Sequence, residues 1–465
     1  MKTVINSKAT RAGIKFVAGV VGKRNSLPIL SNVHLYANGC FQVTGTDLDV
    51  TLTARLPGAT EVEGKTTLPA RALMDAVAGG NDITLETDDK NVTTFLTGTS
   101  HRSVFGLAAD IFPPVLTAPD SAAKVTVPAG LFIACLKQVE MAMSTDESRY
   151  VLNGVCLDIS AEEIKFIATD GRRLQTALLR TGGAPLTAEE KTAVEVAQKA
   201  LDDAGGKLDD AQKRFDAGLA ANPPTYTAIE VAPYGTLYRK EDHCTVRCLQ
   251  AVLDDCKTSV TAAKVELNKL NAGRILILPV KAVRHLVRLP LDKKNPGTLT
   301  LSDWTFGKEN TPYASVDCGD YSIVTKLIEG NYPNYRQVIP TESRISVPVN
   351  IADLRPALAI AEKATSEKAN SVKLIFTKYN LEITANSPEI GTASVMVPCG
   401  YNEVNPDGSE LVFTTAFNPR YLIEACDSLE SAGETMTLHF IDELSPVKIT
   451  NGQSNLVVIM PMRLN

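Results

Sequence analysis

The chain has 465 residues, of which 44% are hydrophobic and 22% charged, with a formal net charge of −6 and nine cysteines. At roughly 150 residues per domain this length makes about three domains, and no apolar run approaches the roughly 20 residues of a membrane span. The scattered, odd-numbered cysteines exclude a disulfide framework and fit reduced thiols in a cytosol, while the acidic total argues against bulk attraction to nucleic acid but not against a local basic surface.

The start, MKTVINSKATRAG, lacks the apolar region of a signal peptide, and its periodicity predicts a helix over 8–21. Asn32 then opens NVHLYANGCFQVTGTDLD, which reads as an alternating strand, a polar turn and a second alternating strand. A second helix follows in LPARALMDAV, with Pro69 at its first position, where the missing N–H is no loss. The same order recurs twice. A helix at 128–143 precedes NGVCLDISAEEIKFIATDGRR from Asn153, and LPVKAVRHLV follows at Pro279. A helix at 351–365 precedes NSVKLIFTKYNLEITANSPE from Asn370, and FNPRYLIEAC follows at Pro419. The strand pairs end in comparable clusters, Thr46-Asp47, Thr169-Asp170 and Ala385-Asn386. Three copies of one α+β unit account for this order.

The step from Asn153 to Asn370 is much longer than that from Asn32 to Asn153, so the second copy carries an insertion, about 183–273. Within it Val194, Ala197, Leu201, Ala204, Leu208, Ala211 and Phe215 step by three and four. So do Val246, Leu249, Leu253, Cys256, Val260, Ala263, Leu267 and Leu270. Two such runs joined by a segment with Pro223-Pro224 predict an antiparallel coiled-coil hairpin, with Gly205-Gly206 as its weak point. Its arms would reach roughly 40–50 Å at 1.5 Å per residue. The insertion is either a tolerated surface addition or a docking arm for a partner.

Basic residues form stripes on two of the helices. Lys8, Arg11 and Lys15 share one face of the first, apart from Ile14, Val17 and Val21. Lys281, Arg284 and Arg288 repeat the spacing after Pro279, while Val283, Leu286 and Val287 turn to a core. In the third copy Arg420 is followed by Glu424 and Asp427. Such stripes are either solvated faces or phosphate contacts; no pattern suggests base readout. No catalytic arrangement emerges. The histidines at 34, 101, 243, 285 and 439 are dispersed, and no phosphate loop, nucleophile elbow or HExxH is present. Asp170 beside Arg172 and Arg173 invites an acid–base reading, but Asp-Gly is turn chemistry. His243, Cys244, Cys248 and Cys256 have the wrong spacing for a zinc finger. Neither an enzyme nor a metal or other cofactor is expected. The ending, SNLVVIMPMRLN, is unusual for a terminus, since termini are commonly polar and frayed.

The threefold order together with SLPILSNVHL, TGTDLDV, RYVLNG, ATDGRRL, EGNYPNYRQVIP and VVIMPMRL resembles the bacterial sliding clamp, the processivity β subunit of the replicative DNA polymerase. The resemblance spans nearly the whole chain outside the insertion. It implies three clamp domains, at 1–120, 121–341 and 342–465, with helices inside and antiparallel sheets outside. A head-to-tail homodimer would close a ring around double-stranded DNA without sequence preference. Lys23 and Arg24 would then join Lys8, Arg11, Lys15, Lys281, Arg284 and Arg288 near DNA. The resemblance also implies a cleft for Leu/Phe peptides of the polymerase, the clamp loader and other partners. Its deep pocket would be Leu152, Thr169, Gly171, Arg172, Arg173, Leu174, Pro333, Val338, Val458 and Met460. Its second subsite would be Arg149, Asn418, Tyr421, Pro461, Met462, Arg463 and Leu464. Arg172 stands where many relatives carry histidine, Gln337 where a basic residue is common, and Val151 where an aromatic is frequent. The implied setting is the cytoplasm, at the nucleoid, with no membrane contact.

Overall fold

Alternation of apolar and polar residues builds the strands. In Asn32–Asn38, Val33, Leu35 and Ala37 are buried while Tyr36 and Asn38 face solvent. The computed structural model describes residues 1–22, 27–160, 162–181, 225–231, 235–241, 274–292, 294–366, 370–404, 411–430, 433–452 and 455–463, with Asp203, Lys207, Asp209, Asp210, Gln212 and Lys213. They divide into two compact units. The larger contains 1–158, 164–181 and 275–465, and the smaller contains 159–163 and 182–274.

In the larger unit every repeat supplies two helices, as the sequence predicts. They are α1 (Ser7–Ala18), α2 (Ala70–Ala76), α3 (Ala129–Val139), α4 (Val280–Val287), α5 (Ile351–Glu362) and α6 (Pro419–Glu430). The openers of α1 and α5 are equivalent. Asn6 accepts from the Ala9 N–H and Asn350 from the Ala352 N–H, each satisfying a donor that the first turn leaves unpaired. Pro419 opens α6, but Pro69 and Pro279 stand one residue outside their helices, at the cap. A fixed φ near −65° suits either place.

Two eight-stranded sheets are each assembled from two repeats. The first runs Gly64–Pro69, Asn32–Asn38, Cys40–Thr46, Val50–Leu56, Tyr321–Lys326, Thr311–Cys318, Thr298–Phe306, Ala123–Pro128. The second runs Arg274–Pro279, Gly154–Ile159, Glu163–Thr169, Arg173–Arg180, Leu456–Ile459, Val447–Thr450, Thr435–Phe440, Ile345–Asn350. Each has an antiparallel seam where one repeat ends and another begins: Leu52 opposite Ile323 in the first, Leu174 opposite Val458 in the second. A five-stranded sheet ends at Ser100–Phe105, and a four-stranded one ends at Gly391–Pro398.

The repeat extends to turn chemistry. Asp47 Oδ1 accepts from the N–H groups of Asp49 and Val50, and Asp170 Oδ1 accepts from those of Arg172 and Arg173. Thr46 and Thr169 brace the same turns, each donating to a carbonyl four residues on. The residue after the aspartate has φ of +80° at Leu48 and +84° at Gly171. The third copy departs here, because Asn386 lies within a strand, opposite Thr392. The core of that repeat is aromatic, with Phe376, Phe413, Phe417 and Phe440 in contact and Tyr401 fully enclosed.

In the smaller unit Asp203, Lys207, Asp209, Asp210, Gln212 and Lys213 are helical and exposed. The two heptad runs and Gly205-Gly206 lie outside the described residues. Between the runs, however, Thr225–Val231 and Gly235–Glu241 pair antiparallel, Tyr226 opposite Lys240. The joining segment is therefore not just a loop. Its alternation, TYTAIEV and GTLYRKE, is visible in the sequence but was masked by the stronger helical periods on either side. Because 182–274 groups with 159–163 apart from the larger unit, replacing 184–272 by a short glycine-serine loop is expected to shift the melting temperature of the larger unit by no more than about 3 °C. Loss of cooperative melting in that variant would show that the insertion belongs to the core.

Candidate functional site

The first candidate surface lies where α1 approaches α4. Lys8, Arg11 and Lys15 are all exposed, opposite the buried Thr10, Ile14 and Val17. Lys281, Arg284 and Arg288 are exposed opposite the buried Ala282, Val283 and Leu286. Two helices from different repeats thus meet. A methyl group on Gly19, at the end of α1, would lie 3.6 Å from the His285 ring. Lys23 and Arg24, which follow in the chain, lie outside the described residues.

Lys281 is not free, as the stripe alone implies. Its ammonium is 2.9 Å from Asp47 Oδ2 and 3.2 Å from Asp49 Oδ2, and the hydrogen bond to Asp47 leads the effects that raise its pKa. Arg284 and Arg288 flank Glu140, whose pKa is raised by burial, against the pull of these two cations and Lys137. In the third repeat Arg355 pairs with Asp427, Nη2 to Oδ2 at 3.3 Å. That cation, too, is partly neutralised.

The second candidate surface lies at the seam formed by the C-terminal strand. Leu456–Ile459 pairs with Arg173–Arg180 on one side and Val447–Thr450 on the other, so the terminus is a central strand. The residues after it are held from both sides. The Met460 N–H donates to the Arg172 carbonyl at 2.9 Å, and the Met462 N–H to the Ala416 carbonyl at 2.7 Å. Met460 and Met462 nevertheless stay 44% and 37% exposed. At the same seam Leu174 and Val458 form a buried patch with Cys156 and Ile167, flanked by Tyr332, Tyr335, Ile339 and Leu456.

Several residues expected in the cleft are gathered here, and others are placed differently. Leu174 and Val458 are floor rather than wall, each 2% exposed. Leu152 is also buried. Pro333 and Val338 face solvent, while Tyr332, Tyr335 and Ile339 of the same loop supply the apolar contact. That loop is anchored by Tyr335 and Arg336, whose polar ends lie 3.4 and 3.3 Å from Asp158 Oδ2. Sequence reading missed these aromatics because a loop has no period to reveal which residues turn inward. Burial drives the Cys156 thiol up to about 12, so this cysteine is an inert core residue. Asn418 accepts from the Arg420 N–H and caps α6. Pro461 is half-buried and Arg463 exposed, while Leu464 lies outside the described residues.

The turn Thr169–Arg173 forms the rim. Gly171 suits its left-handed backbone, and a Cβ there would come within 2.6 Å of the movable Nη1 end of Arg149. That same Nη1 donates to the Asp170 carbonyl at 3.3 Å. Asp170 is a turn-former whose second oxygen pairs with Arg173 Nε at 3.1 Å, so it is committed to structure, not to acid–base work. Arg173 also pairs with Glu424 of α6, donates to the Met141 carbonyl, and lies 4.4 Å above the Tyr421 ring. Among the described residues no cluster of acidic, histidine or cysteine side chains could hold a metal. His243, Cys244, Cys248 and Cys256 lie outside them.

Three tandem sheet-forming repeats joined through shared sheets, with a basic face on two helices, have the architecture of a DNA-clamp protein. The profiles of the DNA polymerase III beta subunit match in order: the N-terminal domain at 1–117, the central domain at 126–231 and the C-terminal domain at 336–463. The chain is 26% identical to the beta sliding clamp of Proteus mirabilis and 25% identical to that of Escherichia coli, over 471 residues covering the whole of each protein. Among solved structures, the DNA polymerase III subunit beta of Pseudomonas aeruginosa superposes with a TM-score of 0.73 at 22% identity. The Bartonella birtlesii sliding clamp bound to griselimycin does so at 0.72 and 23%. Both pairs are covered completely. The chain belongs to the bacterial beta sliding clamp family, whose members are non-catalytic processivity factors.

The joint between α1 and α4 has a consequence for pH. Burial lowers the pKa of His285 below its ordinary 6.5, with Arg288 and Lys281 adding to the shift and Asp47 opposing it. His34 and His439 are lowered in the same direction, again mainly by burial. The unfolded chain therefore takes up protons first, so this contribution to stability is whole above about pH 6.5 and is lost as pH falls below it. Melting followed from about pH 7.5 to pH 5.5 should show a decline that His285→Gln makes shallower. An identical profile for the variant would remove His285 as a source.

Proposed function

We propose that this chain is a sliding clamp that encircles double-stranded DNA without sequence preference and tethers the replicative polymerase, the clamp loader and other partners through a cleft at the C-terminal seam. The observation that carries the reading is the seam itself. Strand Leu456–Ile459 is central, and the residues after it, Met460 and Met462, stay exposed beside a seam whose own residues Leu174 and Val458 are buried. Methionine suits a groove that must serve several ligands, because its unbranched side chain repacks. The griselimycin-bound relatives fit a clamp surface that takes small ligands. The domains of this reading are 1–120, 121–341 and 342–465.

As a ring, the molecule would be a head-to-tail homodimer. The free edges suited to closing it are Ser100–Phe105 and Gly391–Pro398, where Phe105 is 81% exposed and Met396 and Ile390 are open. Unpaired apolar edges are a hazard unless a partner strand covers them. The basic α1 and α4 faces would line the hole, and Lys23 and Arg24 would extend them. The setting is the cytoplasm at the nucleoid; no helix among the described residues is long and apolar enough to cross a membrane. The insertion, read as a coiled-coil hairpin, would serve as a docking arm for a replication partner.

Two experiments test this reading. Removal of residues 461–465 is expected to abolish binding of a Leu/Phe clamp-binding peptide while melting and dimer mass stay unchanged; unaltered affinity would refute the cleft. Reversing charge at Arg284 and Arg288 is expected to reduce retention on nicked circular plasmid by about tenfold, equally for any sequence, and to flatten its salt dependence. Reversal at Lys281 should do less, because Asp47 and Asp49 already hold it. Retention insensitive to all three changes would end the basic-pore reading.

A further inference from the structure

Strand Arg173–Arg180 alternates across the seam. Leu174 enters the apolar floor, whereas Arg173 and Gln175, on the other face, meet α6 at Glu424 and Ser428. Glu424 is 6% exposed, too deep for a ligand in the cleft to touch. It lies between two guanidinium groups, Arg173 and the Nε of Arg420 at 3.0 Å. The Arg173 side chain reaches three further groups besides Glu424: the Asp170 carboxylate, the Met141 carbonyl and the Tyr421 ring. Through Asp170 it also steadies the rim turn, whose Arg172 carbonyl receives the Met460 N–H.

We propose that Glu424 is a positioning residue for the peptide cleft, holding Arg173 so that the rim turn of the second repeat and Tyr421 of the third present one fixed surface. The proposal rests on the cleft reading above. A buried ion pair is weak evidence of a stabilising role, since desolvation offsets much of the attraction; its directionality is what fixes one relative placement of two elements. Here the partners are the first residue of a seam strand and a helix from the next repeat. The planar guanidinium stacks on Tyr421 and bonds Asp170 while a further nitrogen faces Glu424. Glu424→Gln keeps the size but removes the charge, so Arg173 stays tethered to Asp170 and Met141 yet loses the charged partner on α6 that sets its place over Tyr421.

The test is fluorescence titration of the full-length protein with a labelled synthetic peptide carrying the clamp-binding leucine and phenylalanine, alongside thermal melting of each variant. Glu424→Gln is expected to weaken binding about tenfold and Glu424→Asp about threefold, as charge and reach are lost in turn. Tyr421→Ala is expected to cost about tenfold by itself, and little more when added to Glu424→Gln, because positioning through Tyr421 makes the two changes non-additive. A merely structural role would lower melting temperature but leave the two losses to multiply to about a hundredfold. Independent losses, or wild-type affinity in a folded Glu424→Gln, would overturn the proposal. Should Glu424→Gln fail to fold, Glu424→Asp decides: wild-type affinity in that variant overturns the role. If the unaltered protein does not bind the peptide, the cleft reading falls and this role with it; binding by the unaltered protein with no effect at 424 refutes the positioning alone.

Discussion

A β-strand cannot end a sheet without leaving a row of unpaired donors and acceptors, and the larger unit is organised around that requirement. Four of the edges that the repeats would otherwise expose are consumed by one another in two pairs. Val50–Leu56 pairs with Tyr321–Lys326, and Arg173–Arg180 with Leu456–Ile459. Backbone hydrogen bonds thereby turn neighbouring repeats into common sheets, and the register of each seam sets which side chains of two repeats face each other. The rim turn, the Arg173 contacts and the exposed methionines all follow from the second register, because a slip of one residue would send Leu174 to the helix side and Arg173 into the apolar floor.

Charge is distributed to match. A net −6 chain concentrates exposed cations on α1 and α4, and tempers them where repeats join. Asp47 both shapes its turn through Oδ1 and holds Lys281 through Oδ2. One carboxylate thus links the first repeat to the second. The corresponding carboxylate of the second repeat, Asp170, likewise shapes a turn and holds a cation, Arg173. Equivalent turns therefore serve both joints, although one faces the basic helices and the other the C-terminal seam. Partly shielded cations would hold phosphates more weakly than free ones, because part of their charge is already neutralised.

Much of this was legible in the sequence. The helix positions, the strand pairs and the Asp-turns repeat as local patterns, and local patterns follow from periodicity and from short-range hydrogen bonding, which act within a few residues. The exposure of Lys8, Arg11, Lys15, Lys281, Arg284 and Arg288 followed from helical phase in the same way. The pairing of Thr225–Val231 with Gly235–Glu241 is equally local, but its short alternation stands beside longer helical periods.

Non-local facts were not legible. Nothing within Leu456–Ile459 indicates that its partner lies near 175, since hydrogen bonds between backbones carry no residue identity; only the joint burial of Leu174, Cys156, Ile167 and Val458 selects that register. The inward turn of Tyr332, Tyr335 and Ile339, the capture of Lys281 by Asp47 and the pairing of Arg173 with Glu424 likewise join residues far apart in the chain. The sequence by itself determined the repeated unit, its turns and its charged helix faces, because those depend on neighbours along the chain. Tertiary structure alone decided which cations are paired and which side chains are buried at the C-terminal seam, because burial and ion pairing depend on what the fold brings together.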